Sequence, residues 1–323
     1  MTDDEVLALF DSLSNWGRWG PDDTIGTANF ITPEKRVAAA ALVRDGRSLS
    51  LAREIDPGVV DAISQPRRYM VMTGEGLSDE HRVEHVYGEG SHPRWNPAIE
   101  YIGLVYHGGL TTHIDALSHM FWDGKMYNGI PAETVNATTG ATAGAITDLP
   151  DGMLTRGLLY DIPGVRGVDW LEPGEGVTPE DLEAAEDQLG IRAEEGDVAF
   201  LYTGVSKREK VHGKAALMEG RWCGPQAGWA SSCLPWLHER RVAAIGHDSG
   251  QDQIPSGHEA VELGVPIHVI GLVAMGLWLI DNCALDELAS TCRELGRFEF
   301  QFSIAPLRLV GCTGSPANPI ATF

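Results

Sequence analysis

The stretch Tyr106-His107-Gly108-Gly109-Leu110-Thr111-Thr112-His113-Ile114-Asp115-Ala116-Leu117-Ser118-His119 is the richest in chemistry along the chain. Side chains at i and i+2 of a strand share a face, so in a strand His113 and Asp115 converge on one point. An imidazole nitrogen beside a carboxylate oxygen suits zinc, manganese or iron. His119 lies past the strand end and can fold back as a third ligand or as a base on water. The spacing alone also fits a histidine and an aspartate hydrogen-bonded to each other in a core.

Working outward, the surrounding sequence reads as α/β. Thr32-Pro33-Glu34 opens a helix, with Thr as N-cap, Pro at the first helical position and an acid at the positive end; it stops near Gly46. Thr178-Pro179-Glu180-Asp181 opens a second helix, which Gly190 ends. A third is expected over Gln226–Arg240, with Pro235 in its middle. Strands are expected at Ser48–Ala52, Ile102–Tyr106, Leu158–Ile162, Val198–Thr203 and Val242–Ile245, and a kinked one through Phe300, Phe302, Ile304, Leu307 and Leu309, broken at Pro306. The simplest organisation is one domain over 1–323. Residues 1–50 form an N-terminal arm and helix, and 57–100 an irregular, lid-like insertion over a site.

Downstream, Gly246-His247-Asp248-Ser249-Gly250-Gln251-Asp252-Gln253-Ile254-Pro255-Ser256 follows a strand. Polar groups at a strand's carboxyl end are where α/β folds place their chemistry. His258, His268 and Asp281 come next, and with His113 and Asp115 they make a second set of possible ligands.

Charge and composition exclude several classes. The 323 residues carry 24 Lys plus Arg against 46 Asp plus Glu, a net charge of −22. Such a surface repels nucleic-acid phosphates and anionic lipid, so neither nucleic acid nor membrane is an expected partner. Met-Thr-Asp-Asp-Glu lacks the cationic start of a signal peptide. The apolar run Val269–Ile280 is shorter than the roughly 20 residues of a membrane span and reads as buried core. Cys223, Cys233, Cys283, Cys292 and Cys312 form no C-x-x-C and fit reduced thiols in a cytoplasmic protein. His81-Arg82-Val83-Glu84-His85 matches the H-x-x-E-H zinc pattern, but glycines flank it and it reads as a charged loop. His107-Gly108-Gly109 is similar to a serine-esterase oxyanion loop, yet the chain has no G-x-S-x-G nucleophile elbow.

Thr112-His113-x-Asp115-x-x-x-His119 resembles the H-x-G-T-H-x-D-x-P-x-H signature of the metal-dependent cyclase family, which includes kynurenine formamidases, isatin hydrolases and trans-dienelactone hydrolases. The resemblance extends to Asn15–Asp23 and Gly26–Asn29, to Gly124–Gly129, to Pro266-Ile267-His268 through Asp281-Asn282, and to Gly314–Pro319. It implies a swivelling β/β/α fold with mixed sheets and flanking helices, and hydrolysis of a C–N or C–O acyl bond by metal-activated water. It also implies a homo-oligomer, dimer or tetramer. Carried over, His113 and Asp115 match the metal-binding pair and His119 the general acid/base. His268 and Asp281 match a later histidine and acidic ligand. In this register the family's first histidine falls on Gly109, with His107 displaced by two residues, and its proline falls on Leu117. That departure implies one divalent metal per chain, Mn²⁺ or Zn²⁺, with Gln253 or Gln251 supplying a neutral oxygen.

The expected function is therefore a metal-dependent hydrolase opening a small cyclic amide, lactone or formamide. Trp16, Trp19, Trp122 and Tyr127 are candidate walls for a flat substrate. The alternatives are a metal-dependent lyase or dehydratase on a small carbonyl compound, and a non-catalytic, metal-stabilised protein.

Overall fold

Met153–Asp161, Val198–Tyr202, Ala244–His247 and Trp278–Asp281 form the parallel centre of a nine-stranded sheet. The last three are buried along their whole length, as strands covered on both faces must be. Antiparallel strands complete the sheet. Glu299–Ile304, Ile320–Thr322 and Ser48–Ser50 flank one side, and His113–Asp115 then Gly314–Pro316 the other. The computed structural model describes residues 1–60, 63–73, 76–77, 97–216, 218 and 223–323.

The start signals act as expected. Thr32 Oγ1 accepts from Lys35 N at 3.1 Å, and the helix runs Pro33–Ala40. The second helix is Pro179–Leu189; Thr178 N donates to Asp181 Oδ2 at 3.0 Å, and Gly190 ends it at φ 68°. Three expectations are corrected. The helix expected over Gln226–Arg240 is only Cys233–Glu239, because Gly228–Trp229 pairs instead with Gly176–Val177. Pro235 then lies in the first turn, where its missing N–H costs nothing. The strand Glu299–Ile304 ends before Pro306, so Leu307 and Leu309 are not part of it. The stretch expected to be irregular contains Arg67–Thr73 paired antiparallel with Gly76–Leu77 and with Ile99–Gly103. The H-x-x-E-H residues lie outside the described residues.

The apolar run Val269–Ile280 is spent on three elements. The helix Pro266–Ile270 passes into a π-helical turn, Gly271–Met275, which feeds the strand Trp278–Asp281. The N-terminal arm is stitched across this turn. Asn15 Nδ2 donates to Met275 O at 2.8 Å, Trp16 Nε1 to Val273 O at 2.7 Å, and Trp278 Nε1 returns to Ile25 O at 2.8 Å. At the chain start, Asp3 Oδ1 lies 2.9 Å from His258 Nδ1, whose Nε2 is 3.0 Å from Ser231 Oγ. Gly26, at φ 52°, is tightly constrained, since a Cβ there would lie 2.3 Å from the Gly276 carbonyl oxygen. Gly26→Ala is expected to cost about 2–3 kcal/mol through forced backbone movement. Gly17→Ala, with a similarly positive φ but open space around it, should cost about 1 kcal/mol. Denaturant midpoints of the two variants check this difference.

Candidate metal centre

The strand His113–Asp115 is held between two antiparallel neighbours. Its register with Trp278–Asp281 sets His113 opposite Asp281 and Asp115 opposite Leu279. Opposed residues share a face, so His113, Asp115 and Asp281 point the same way. One ligand atom from each lies within 4.8 Å of the others, and the same holds for His107, Asp115 and His119. The two groups share Asp115.

Asp115 is fully buried, and among the described residues only imidazoles face its carboxylate oxygens as donors. His107 Nδ1 stands 2.8 Å and His113 Nε2 3.4 Å from its Oδ1; His268 Nε2 is 3.7 Å from its Oδ2. Imidazole nitrogens and carboxylate oxygens converging at these separations are what a cation requires, and a bare carboxylate buried this way is costly. The donor set therefore fits a divalent metal. Burial favours the neutral acid of Asp115, but His119, His113 and His107 together outweigh it and hold its carboxyl well below the usual carboxylate range.

The imidazoles are aimed by bonds on their far nitrogens. His113 Nδ1 is 2.9 Å from Thr111 O, which leaves Nε2 toward the carboxylates. His107 Nε2 lies 3.2 Å from Thr313 Oγ1. His268 Nδ1 is 2.5 Å from Asp252 Oδ2, and its Nε2 is 3.2 Å from Asp281 Oδ2. Burial opposes a charged His268, yet Asp281 and Asp252 on either side raise its pKa well above the ordinary value. His119 stacks on His107 at 4.0 Å. Its burial, reinforced by neighbouring imidazoles and only partly offset by Asp115, lowers its pKa to about 4, so it is neutral at pH 7 and able to accept a proton.

All of these side chains line one cavity of about 290 Å³. Leu171, Pro173, Ile254, Val265 and Met120 give it an apolar side. The structure thus brings together His113, Asp115, His119, His268 and Asp281. His107 reaches the group despite its displacement of two residues. Gln253 does not; its Nε2 donates to Gly174 O at 2.9 Å, on the other side of its loop. Gln251 stands behind Asp281, donating to its Oδ1 at 2.7 Å. None of the four aromatic candidates is among the cavity's lining residues in this chain. Trp16 ties the arm to the π turn, Trp19 meets Phe30 edge-on, Trp122 stacks on Phe10 at 4.7 Å, and Tyr127 donates to Asp23 at 2.9 Å.

Asp252 is the residue that sequence reasoning missed. Beyond His268, it accepts from Ile267 N at 2.6 Å, so one carboxylate fixes both the helix start and the ring. Its signal was its place in the polar run after the strand, where the neighbouring glutamines drew the reading instead.

Comparison with known proteins places the chain. The family described as "Putative cyclase" matches residues 82–251. A crystal structure of a novel cyclase is 32% identical, covers 96% of this chain and 100% of its own, and superposes with a TM-score of 0.82. The chain belongs to this cyclase family. Isatin hydrolase A from Ralstonia solanacearum shares the fold at 19% identity, with coverage of 90% and 97% and a TM-score of 0.58. Isatin hydrolase A from Labrenzia aggregata does so at 19% identity, 88% and 94% coverage and a TM-score of 0.57. No curated protein matches by sequence. Among the described residues no helix is long and apolar enough to cross a membrane.

The geometry gives Asp252 a testable positioning role. Partners that orient a metal-binding histidine typically change metal affinity about 10–100-fold. Asp252→Asn should weaken metal binding by that amount in a chelator-competition titration, while Gln253→Ala should leave it unchanged.

Proposed function

We propose that the protein is a metal-dependent hydrolase that opens a small cyclic amide, lactone or formamide. The observation that carries this reading is the buried Asp115 carboxylate, ringed by His107, His113, His119 and His268 in a cavity that apolar side chains also line. Its fold is that of isatin hydrolases, which adds support for a ring-opening substrate.

One divalent cation, Mn²⁺ or Zn²⁺, would be held by His113, Asp115 and Asp281, with His268 beside them; nitrogen and oxygen donors without thiolate suit either ion. Such an ion supplies Lewis acidity toward the acyl oxygen and toward water. The chain's own groups do the rest. Neutral His119 takes a proton from the attacking water at a ring nitrogen and passes it to the leaving nitrogen or oxygen. Asp252 holds the His268 ring so that Nε2 faces the carboxylates. Leu171, Pro173 and Val265 favour a flat, apolar ring and displace water from it. Ile63 also lines the cavity, which supports a covering role for the 57–100 insertion.

Two further assignments belong to this reading. Exposed Tyr101, Ile102 and Val105 support self-association into a homo-oligomer, and five free cysteines support a cytoplasmic location.

A second reading follows from the group His107, Asp115 and His119, in which a second ion shares Asp115 and His119 is a ligand. Paired variants separate the two. His113→Ala should lose the metal and all activity. His119→Ala should keep about one metal per chain and lower kcat about 10²–10⁴-fold. Metal analysis with turnover of isatin, a small lactone and N-formylaniline is the measurement. Two metals per chain in the wild type, one of them lost in His119→Ala, would favour the second reading. Metal-loaded protein that turns over no member of such a panel would contradict the hydrolase.

A further inference from the structure

Among the described residues two arginines and one lysine line the cavity: Arg53, Arg208 and Lys214. Arg208 is neutralised by Glu172 at 3.1 Å, and Lys214 is exposed to water. Arg53 differs from both. Among the described residues its part-buried guanidinium donates only to neutral carbonyls, Gly109 O at 3.1 Å and Asp248 O, and its buried Nε has no partner. The nearby Asp248 carboxylate does not serve it, because its oxygens accept from the backbone N–H groups of Thr203, Gly204 and Val205. Among the described residues no carboxylate pairs with this part-buried guanidinium, although the chain carries a net charge of −22.

Its position is built, and built from the metal centre. Arg53 N donates to Thr112 Oγ1 at 2.9 Å, and that hydroxyl donates to Asn282 O at 2.6 Å. Thr112 precedes His113 and Asn282 follows Asp281. The guanidinium contacts follow His107 by two residues and His247 by one. Three of these anchors, Thr112, Asn282 and Gly109, are thus near neighbours in sequence of residues in the cluster. A guanidinium is a rigid fork matched to carboxylate geometry, and anchoring it in advance lowers the cost of using it.

We propose that Arg53 receives a carboxylate group of the ligand in this cavity. The hydrolase reading supplies one source. As water adds its oxygen to the acyl carbon, the C–N or C–O bond breaks, one proton goes to the leaving atom, and the acid formed ionises to a carboxylate. A carboxylate already carried by the substrate is the other source. Only the first source rests on the hydrolase reading.

The test is calorimetric binding of phenylglyoxylate and of its neutral amide, phenylglyoxamide, to metal-loaded wild type, Arg53→Met and Arg53→Lys. Metal content and melting temperature are recorded for each. The wild type should prefer the carboxylate about tenfold or more, Arg53→Met should bring the two probes near parity, and Arg53→Lys should keep part of the preference. Equal binding of both probes by the wild type overturns the proposal, and that comparison stands even if Arg53→Met fails to fold. So does an undiminished preference in Arg53→Met with metal content intact, because the metal alone would then hold the carboxylate. The two sources separate in the wild type. If the group comes with the substrate, carboxylate-bearing substrates have lower KM than neutral counterparts; if it is the product's, only the ring-opened acids inhibit. Failure of the hydrolase reading shows as no turnover with the carboxylate preference intact. Failure of this proposal shows as turnover with no such preference.

Discussion

The site depends on one pairing. His113–Asp115 lies antiparallel to Trp278–Asp281, with Asp281 opposite His113, and this register puts two carboxylates and an imidazole on one face. A slip of one residue would turn every side chain of the strand to the opposite face. The register is secured from both sides, since Gly314–Pro316 pairs with the other edge of His113–Asp115. Elements far apart in sequence depend on it: the π turn that delivers Trp278, the arm stitched over that turn, and the Asn282 carbonyl that fixes Thr112.

The second constraint is electrostatic. Asp115, Asp252 and Asp281 are all buried within reach of His268. Carboxylates so close together repel unless positive charge lies among them. His268, with its raised pKa, supplies part of that charge, and a divalent cation fits the remainder. Burying a carboxylate unpaired costs several kcal/mol. That is a large fraction of the roughly 5–15 kcal/mol that keeps a domain folded, so this cluster is a functional investment that the rest of the core must offset.

What was legible in the sequence had local causes. The i, i+2 spacing of His113 and Asp115 needs only an extended backbone, and the Thr-Pro-Glu starts need only a helix end. The place of Gln253 was not legible, because the loop after Ala244–His247 turns successive side chains to different surroundings: Gln251 behind Asp281, Asp252 under His268, and Gln253 toward Gly174. The tryptophans are ambiguous in the sequence for a related reason. An indole can wall a pocket or pin a loop through its N–H, and composition does not distinguish the two. His107 shows the opposite case, since a histidine two residues out of register still reaches Asp115 once the Gly108-Gly109 turn is folded. The helix expected at Gln226–Arg240 failed because Gly228–Trp229 has a strand partner some fifty residues earlier in the chain, at Gly176–Val177.

The central claim is that the buried carboxylates and imidazoles form a metal centre organised around Asp115. The most direct measurement is anomalous diffraction at the manganese and zinc edges from crystals of protein purified without added metal. The account predicts an anomalous peak within coordination distance of His113, Asp115 and Asp281. No peak there after soaking in either ion, with the side chains placed as described, would contradict it.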